Sequence, residues 1–246
     1  MTYRRDSDIV HAYAKVERKK NPTTFSSARL KMVWKGKKRL AIWPVGHCNT
    51  SSKREDFVRE LRRHMPVDVI GKCGRSSCSP RSHSCYQQFE REYFFHLSFE
   101  NSICKDYVTE KLYATQRYDI VPVTFGAKKK RLAPPGSYID ALKFSSPKFL
   151  ADYLKKVARN FKLYRRYFTW RRKYNVVPWS SYSYHKLCSR LYSASFVEKS
   201  VYTDLVKWWK NGSNCRVWNR STMQLSPYTY PMTAINYTGT EDPKTG

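Results

Sequence analysis

The chain has 246 residues, of which 41% are hydrophobic and 15% aromatic, so it can build a core and is not a wholly disordered protein. Its 9 glycines and 12 prolines follow no period, which excludes collagen-like and fibrous proteins. The formal net charge of +28 favours an anionic partner: nucleic acid, a membrane surface or a phosphorylated small molecule.

From Arg39 onward, short apolar segments that predict buried strands alternate with segments of helical periodicity. A stretch rich in glycine, serine, proline and cysteine between two of them predicts a loop. In chain order the predicted elements are strand 40–45, helix 53–64, strand 67–70, loop 71–86, strand 94–99, helix 109–118, strand 120–125 and a long helical segment over 148–174.

This alternation predicts an α/β fold with a Rossmann-like, doubly wound parallel sheet. Such sheets bind their ligands beyond the carboxyl ends of the strands. We assign residues 39–218 to this domain and its C-terminal helices. Residues 1–38 precede it and are basic and weakly patterned, and residues 219–246 are a polar tail of expected low order.

The loop after the predicted strand 94–99 carries the residues that best fit a ligand site. It presents Glu100, Asn101, Asp106 and Tyr107, and the next helix begins near Thr109 with Glu110 and Lys111 in its first turn. Helix starts and lysines suit phosphate, a carboxylate suits sugar hydroxyls, and an amide with a tyrosine suits ribose and base. The pattern therefore indicates a nucleotide sugar. The alternative is that these residues only stabilise the helix, since Glu110 complements a helix dipole and Thr109 can cap a helix.

The same stretch belongs to a longer motif set, FENSICKDYVTEKL at 99–112, VPVTFGA at 121–127 and LAPPGSYI at 132–139. With these motifs the chain resembles the α-1,3-fucosyltransferases of glycosyltransferase family ten, and the invertebrate members in particular. The similarity runs from residue 1 to about residue 171. It implies the GDP-fucose-binding domain of a GT-B enzyme that transfers L-fucose from GDP-fucose to GlcNAc of glycoprotein glycans with inversion.

The resemblance also implies roles for individual residues. Lys111 and Arg54 would hold the diphosphate, and Glu110 would hold the fucose ring. The other implied donor contacts are Asn101 and Tyr107 on the nucleoside side and Tyr3 packed nearby. Arg54 follows from the resemblance alone, because from spacing it is one exposed helix charge among many.

In the family, the residues that match Met1–Arg4 lie in mid-chain. Residues 1–38 are therefore expected to be a remnant of the acceptor domain or a linker, and the chain an N-terminally truncated member. Inverting transfer needs a general base, which the family carries in the preceding half, so no residue of this chain is assigned a catalytic role. The alternatives are a non-catalytic fragment that binds GDP-fucose or glycan, and a basic nucleic-acid-binding protein, for which the cation–aromatic run 153–174 is the only further support.

The resemblance implies a compartment and partners as well. The expected location is the lumenal side of the Golgi membrane, with an anchor in a segment absent from this sequence. The resemblance implies no required cofactor, although Mn²⁺ could stimulate the activity, and no nucleic-acid partner. The 7 cysteines agree with an oxidising lumen. So do four glycosylation sequons, which begin at Asn49, Asn211, Asn219 and Asn236. No apolar run reaches about 18 residues and no signal peptide is recognisable, so neither a membrane span nor a leader is predicted.

Two patterns resemble metal sites, and both have a simpler interpretation. Asp6-Ser7-Asp8 matches the Asp-x-Asp motif of some glycosyltransferases, but an acidic pair that offsets the neighbouring arginines is the preferred explanation. The cysteines and the histidine within 73–85 lack the Cys-x-x-Cys pair of many zinc sites. Disulfides are therefore expected there, and their connectivity cannot be deduced from the sequence.

The chain departs from the family pattern at several positions. Gly46-His47 stands where Ser-Asn is usual, His96 replaces a common tyrosine, and the basic segment 128–131 replaces one that usually contains a tyrosine. His185 stands where a Cys-x-x-Cys pair is frequent, so Cys188 is expected to be unpaired. The first three departures weaken the expected donor site.

Overall fold

The structure, a computed structural model, describes residues 1–74, 83–126, 132–178, 182–193 and 201–230. It contains helices, strands and two short 3₁₀ turns, at Ala141–Lys143 and Thr169–Arg172. In chain order the elements are β1 (Ala14–Arg18), α1 (Ser27–Gly36), β2 (Arg39–Pro44), α2 (Arg54–Leu61), β3 (Val67–Ile70), α3 (His83–Glu92), β4 (Tyr93–Phe99), α4 (Glu110–Thr115), β5 (Val121–Phe125), β6 (Ile139–Asp140), α5 (Pro147–Arg159), α6 (Phe161–Arg166), β7 (Tyr174–Pro178), α7 (Tyr182–Tyr192), α8 (Leu205–Lys210), β8 (Arg216–Asn219) and β9 (Gln224–Pro227).

A five-stranded parallel sheet lies at the centre, in the order β3-β2-β4-β5-β6. The chain leaves β2 towards β3 on one side and returns to β4 on the other, so the strand order reverses between β2 and β4. In doubly wound sheets the ligand crevice opens at this reversal, outside the carboxyl ends of the two strands. The predicted fold class is confirmed, and the crevice position follows from the topology.

Both faces of the sheet are covered, which is why its strands read as nearly continuous apolar runs. Ala41 and Trp43 of β2 face the cluster that α2 and α5 complete, whereas Ile42 between them faces Tyr86 and Phe89 of α3. The alternation follows from the period of two along a strand. The predicted strands 40–45, 67–70, 94–99 and 120–125 are confirmed to within one or two residues.

The long helical segment predicted over 148–174 is wrong as one element. Helix α5 begins with a cap at Ser146 and ends at Asn160, whose backbone is extended and whose side chain then accepts from the Leu163 N–H at the start of α6. The apolar spacing continues through this break, because Leu154 and Tyr164 both face the core. The segment then ends in a strand that begins at Tyr174.

The segment before β2 is packed against the sheet domain. Strand β1 pairs antiparallel with β7, and α1 buries Leu30 in the main core. The Trp34 indole N–H donates to the Ala158 carbonyl at 3.0 Å. The division of the chain at residue 39 stays a prediction, but α1 contributes to the same core as the strands that follow it.

The prediction of a polar tail of low order from residue 219 is wrong for residues 219–230. Strands β8 and β9 form an antiparallel hairpin there, with Asn219 paired to Gln224. Trp218 of β8 is buried against Phe57 of α2, with ring centroids 5.2 Å apart. Residues 231–246 and the basic segment 128–131 lie outside the described residues, as do residues 75–82 of the loop predicted over 71–86. That loop prediction is wrong at residues 83–86, because α3 begins at His83.

The cysteines form disulfides, as predicted. Cys48 is bonded to Cys73 and Cys104 to Cys215. Cys85 is disulfide-bonded as well, and Cys188 is free and exposed, as expected. Within the described ranges, no three His, Cys, Asp or Glu side chains are grouped so that they could hold a metal ion. None of the helices in those ranges combines the length and the apolar character that crossing a membrane requires.

Candidate functional site

The loops that follow β2 and β4 are tied together at the point where the strand order reverses. The Ser52 N–H donates to the Asn101 carbonyl at 3.0 Å, and the Ser52 hydroxyl donates to the Glu100 carbonyl at 2.8 Å. The Ser51 hydroxyl reaches the Asn101 carbonyl as well, at 3.2 Å. These bonds bring the start of α2 beside the segment 100–111, so the two stretches that carry most of the predicted site residues lie at the same edge of the sheet.

Arg54, the first residue of α2, connects the ends of β2 and β4 through its side chain. Its side chain is only 2% exposed and donates to the Phe99 carbonyl at 2.6 Å and to the His47 carbonyl at 3.1 Å. Burial lowers the pKa of the guanidinium, and the charge of Glu100 opposes that shift. Within the described part of the chain, its Nε has no hydrogen-bond partner. Arg54 is therefore a fixed cation with one donor to spare.

Glu100 is the centre of the site, although its carboxylate was not among the predicted donor contacts. It is 2% exposed and accepts from the Thr109 N–H at 2.8 Å and from the Thr109 hydroxyl at 2.8 Å. The oxygen that accepts from the hydroxyl also lies 3.2 Å from the Lys111 ammonium. Glu100 therefore fixes the start of α4 and holds Lys111 there. The available signal was its place directly after a buried strand.

The side chains of Lys111 and Glu110, both in the first turn of α4, differ in their exposure to solvent. The Lys111 side chain is 26% exposed, and its ammonium also contacts the Thr109 hydroxyl at 2.9 Å and the Glu110 carboxylate at 3.2 Å. The Glu110 side chain is 51% exposed. The lysine is thus held by three oxygen-bearing side chains, while the carboxylate of Glu110 stays open to solvent.

The remaining predicted residues are aromatic or amide groups around this charged centre. Tyr107 packs edge-on against Tyr3 with ring centroids 5.0 Å apart, and Trp209 packs on Tyr3 at 5.7 Å. Burial and the charge of Glu100 raise the pKa of the Tyr107 phenol above its usual range. The Asn101 amide oxygen is buried and, among the described residues, without a hydrogen-bond partner. A buried acceptor of this kind suits a donor group supplied by a ligand.

The structure brings the six predicted residues to one edge of the sheet. Glu100 links three of them, because its charge acts on Arg54 and Tyr107 and its oxygen holds Lys111. Tyr13 also lies near these residues: burial raises the pKa of its phenol, and the charges of Glu110, Lys111 and Glu100 act on it as well. It was not predicted, because no local pattern distinguishes it from the other 18 of the 19 tyrosines.

Two of the sequence patterns resolve into structural roles. His47 contributes its backbone carbonyl to Arg54, a group that any side chain at that position leaves in place. Asp6 pairs with Arg4 at 2.6 Å and with Lys105 at 2.9 Å, and the hydrogen bond from Arg4 holds the pKa of its carboxyl below the usual range. The interpretation of Asp6 as a charge offset to its neighbouring arginine is confirmed.

His96 occupies a position in β4 directly behind the site. It is 3% exposed, and its ring stacks on Tyr86 with centroids 5.5 Å apart. Its Nδ1 lies 2.9 Å from the Ser98 hydroxyl and 3.1 Å from the Thr115 hydroxyl. Burial lowers the pKa of His96 to about 3. The folded protein therefore holds a neutral imidazole under all ordinary conditions.

This burial predicts a loss of stability in mild acid. An unfolded histidine takes up a proton near pH 6.5, whereas His96 in the folded chain does so only near pH 3, so between these values protons favour the unfolded state. Its contribution to stability is complete above pH 6.5 and falls with pH below it. Between pH 7.5 and pH 5, urea unfolding should show the wild type losing about 2 kcal/mol more than His96→Phe. Parallel profiles for the two proteins would contradict the assignment.

Comparisons with known proteins identify the family. The family model described as glycosyltransferase family 10 (fucosyltransferase) C-term matches residues 34–208. The chain is 39% identical over 237 residues to alpha-(1,3)-fucosyltransferase C of Drosophila melanogaster, covering 89% of this chain and 55% of that protein. It is 38% identical over 171 residues to alpha-(1,3)-fucosyltransferase fut-1 of Caenorhabditis elegans, covering 69% of this chain and 39% of that protein.

A crystal structure of an alpha1,3-fucosyltransferase matches the fold with a TM-score of 0.51 at 19% identity, over 68% of this chain and 49% of that one. The prediction of a GT-B-type α/β fold is confirmed by this match. The chain spans about half the length of the curated relatives it matches. The family predicted from the FENS, YVTEK and APPGSYI motifs is confirmed as well, and the chain belongs to glycosyltransferase family 10, the fucosyltransferases.

Proposed function

We propose that this chain binds GDP-fucose and forms the donor side of an α-1,3-fucosyltransferase, which transfers L-fucose to GlcNAc of glycoprotein glycans with inversion. The observation that carries the proposal is the pair of cations at the sheet reversal. Lys111 is held by the buried carboxylate of Glu100 and Arg54 by the Phe99 carbonyl, and both lie at the end of β4 where a doubly wound sheet is expected to bind its ligand.

Each part of the nucleotide sugar has a chemically matched group in the crevice. The diphosphate meets the Lys111 ammonium and the spare Nε–H of Arg54, both charged donors suited to phosphate oxygens. The solvent-open carboxylate of Glu110 accepts from fucose hydroxyls. Tyr107, supported by Tyr3, offers a ring face to the nucleoside, and the Asn101 amide oxygen accepts from it.

These groups bind, orient and stabilise a leaving group. As the bond from C1 of fucose to the phosphate oxygen breaks, negative charge grows on the diphosphate, and fixed cations lower the energy of that state. Fucose C1 takes on oxocarbenium character, and the acceptor hydroxyl attacks the opposite face after a base removes its proton. We assign no base to the residues of this chain. Because Lys111 and Arg54 supply the charge stabilisation, the proposed reaction requires no cofactor.

Solved and curated relatives support the donor and the linkage. An alpha1,3-fucosyltransferase solved with GDP-fucose matches the fold with a TM-score of 0.50 at 20% identity. The relative from Drosophila carries the name alpha-(1,3)-fucosyltransferase. The disulfides and the four sequons agree with a lumenal, Golgi address. We propose membrane attachment through an N-terminal segment on the same family grounds.

A titration of the chain with GDP-fucose at physiological salt tests the proposal, with GDP-mannose as the competing sugar. Lys111→Ala removes a charge-assisted contact and should weaken GDP-fucose binding about 10- to 100-fold. Glu110→Gln should reduce the preference for GDP-fucose over GDP and leave the affinity for GDP nearly unchanged. Lys155→Ala, which removes a lysine from α5 that pairs with Asp152, is the matched control and should bind like wild type.

Three other outcomes would each contradict part of the proposal. Equal GDP-fucose affinity of Lys111→Ala and wild type would contradict the assignment of Lys111 as a phosphate contact. Binding of GDP-fucose without fucose transfer to a GlcNAc-terminated acceptor would favour the alternative of a non-catalytic binding fragment. Binding that any polyanion displaces and that falls steeply with salt would favour the nucleic-acid alternative, which family membership disfavours.

A further inference from the structure

The Lys111 carbonyl accepts two side-chain hydroxyls in addition to its place in α4. The Ser98 hydroxyl donates to it from β4 at 2.9 Å, and the Thr115 hydroxyl donates from the next turn of α4 at 2.7 Å. The bond from Ser98 joins the sheet to the helix that carries the two charged site residues. The bond from Thr115 lies within α4 and ends on the same carbonyl oxygen.

The geometry around His96 assigns the proton on its ring. Each hydroxyl has one hydrogen, and both hydrogens are directed to the Lys111 carbonyl. Nδ1 lies within hydrogen-bond distance of both hydroxyl oxygens, and when both hydroxyls donate to the Lys111 carbonyl it is the ring nitrogen that donates to them. Nε2 is then unprotonated. It is buried and has no hydrogen-bond partner in the described part of the chain. An unprotonated nitrogen fits this site better than an N–H, because buried N–H groups without an acceptor are rare in proteins.

We propose that His96 is a positioning residue for the donor site: its Nδ1–H orients the Ser98 and Thr115 hydroxyls onto the Lys111 carbonyl and so fixes the first turn of α4, from which Lys111 and Glu110 reach the donor. This inference rests on the proposed function for its link to GDP-fucose. The orienting network itself is independent of any ligand.

Without the ring donor, the two hydroxyls have a competing partner. Their oxygens are 3.3 Å apart, so either hydroxyl can rotate to donate to the other and leave the Lys111 carbonyl with one bond fewer. The connection between β4 and α4 then loosens at Lys111. An asparagine at position 96 keeps an N–H donor at about the distance of Nδ1, whereas leucine keeps the bulk and removes the donor.

The test compares His96→Leu with His96→Asn by calorimetric titration with GDP-fucose. We expect His96→Leu to weaken binding about 5- to 10-fold and His96→Asn to stay within about twofold of wild type. Leu97→Val is the matched control: it shortens the next buried side chain of β4, which faces the opposite side of the sheet, and it should lower stability without changing affinity.

A double-mutant cycle shows whether the effect passes through Lys111. In a Lys111→Ala background, His96→Leu should change affinity by less than about twofold, because the group that it positions is absent. Unchanged binding by His96→Leu, or an equal loss in both backgrounds, would overturn the proposal. A merely structural role would lower the affinity of Leu97→Val alongside that of His96→Leu.

Hydrogen exchange separates this inference from the proposed function. In the ligand-free protein, His96→Leu should speed exchange of the amides at 112–116 by about threefold or more, while His96→Asn and Leu97→Val leave them protected. If wild type fails to bind GDP-fucose but this pattern appears, the proposed function fails and the positioning network stands. If the amides of His96→Leu remain protected, the positioning role itself is overturned.

Discussion

Glu100→Gln is expected to destabilise the protein by about 3 kcal/mol and to weaken GDP-fucose binding at least tenfold. The carboxylate of Glu100 is buried and accepts from the Thr109 N–H, the Thr109 hydroxyl and the Lys111 ammonium. A glutamine has the same shape but carries no charge. Its amide NH2 replaces one carboxylate oxygen and would face the N–H and O–H donors that this oxygen accepts from. The Lys111 ammonium then loses its buried counter-ion, and the start of α4 loses its anchor.

Urea unfolding of the variant, with titration of GDP-fucose, measures both effects. For the stability measurement Glu110→Gln is the matched control, because Glu110 pairs with the same ammonium at the same 3.2 Å distance but with its side chain 51% exposed. Solvent screens such a pair, so the control should lose no more than about 0.5 kcal/mol. Equal stability losses for the two variants would show that burial does not set the strength of the Glu100 contact.

Removing the disulfide between Cys104 and Cys215 is expected to cost about 4.8 kcal/mol. The bond joins positions 111 residues apart, so its loss frees a long loop in the unfolded chain. The bond between Cys48 and Cys73 closes only 25 residues, and its loss should cost about 3.5 kcal/mol.

Paired serine substitutions, measured by urea unfolding under non-reducing conditions, test this order. The Cys104→Ser, Cys215→Ser protein should be the less stable of the two double variants by about 1 kcal/mol. It should also bind GDP-fucose more weakly, because Cys104 lies in the loop between Glu100 and Thr109. The reverse order of stability would mean that local packing, rather than loop length, determines the contribution of each crosslink.

Much of the sheet was predictable, because its strands are apolar runs bounded by polar turns. The place of Glu110 and Lys111 at a helix start that follows a buried strand was predictable as well, whereas their role in donor binding stays a prediction. Both predictions rest on patterns within about ten residues. The predicted helix 148–174 fails for the same reason, because apolar spacing runs through the break at Asn160 and gives no local sign of it.

The parts that could not be predicted depend on residues distant in sequence. Arg54 is fixed by the Phe99 carbonyl, 45 positions away, and no local pattern marks it. Strand β1 finds its partner in β7, more than 150 positions away. Glu100 was visible as a loop residue, but its role depends on burial, which only the assembled sheet and helices provide.

The C-terminal hairpin has a consequence for how the domain can be isolated. The family match ends at residue 208, whereas Cys215 and Trp218, which tie the hairpin to the donor loop and to α2, lie beyond it. Tyr3 lies before its start at residue 34. A fragment cut at the limits of the family model would expose the surface of Phe57 under the hairpin and leave Cys104 without its partner. The smallest stable unit is therefore wider than the stretch that the family model matches.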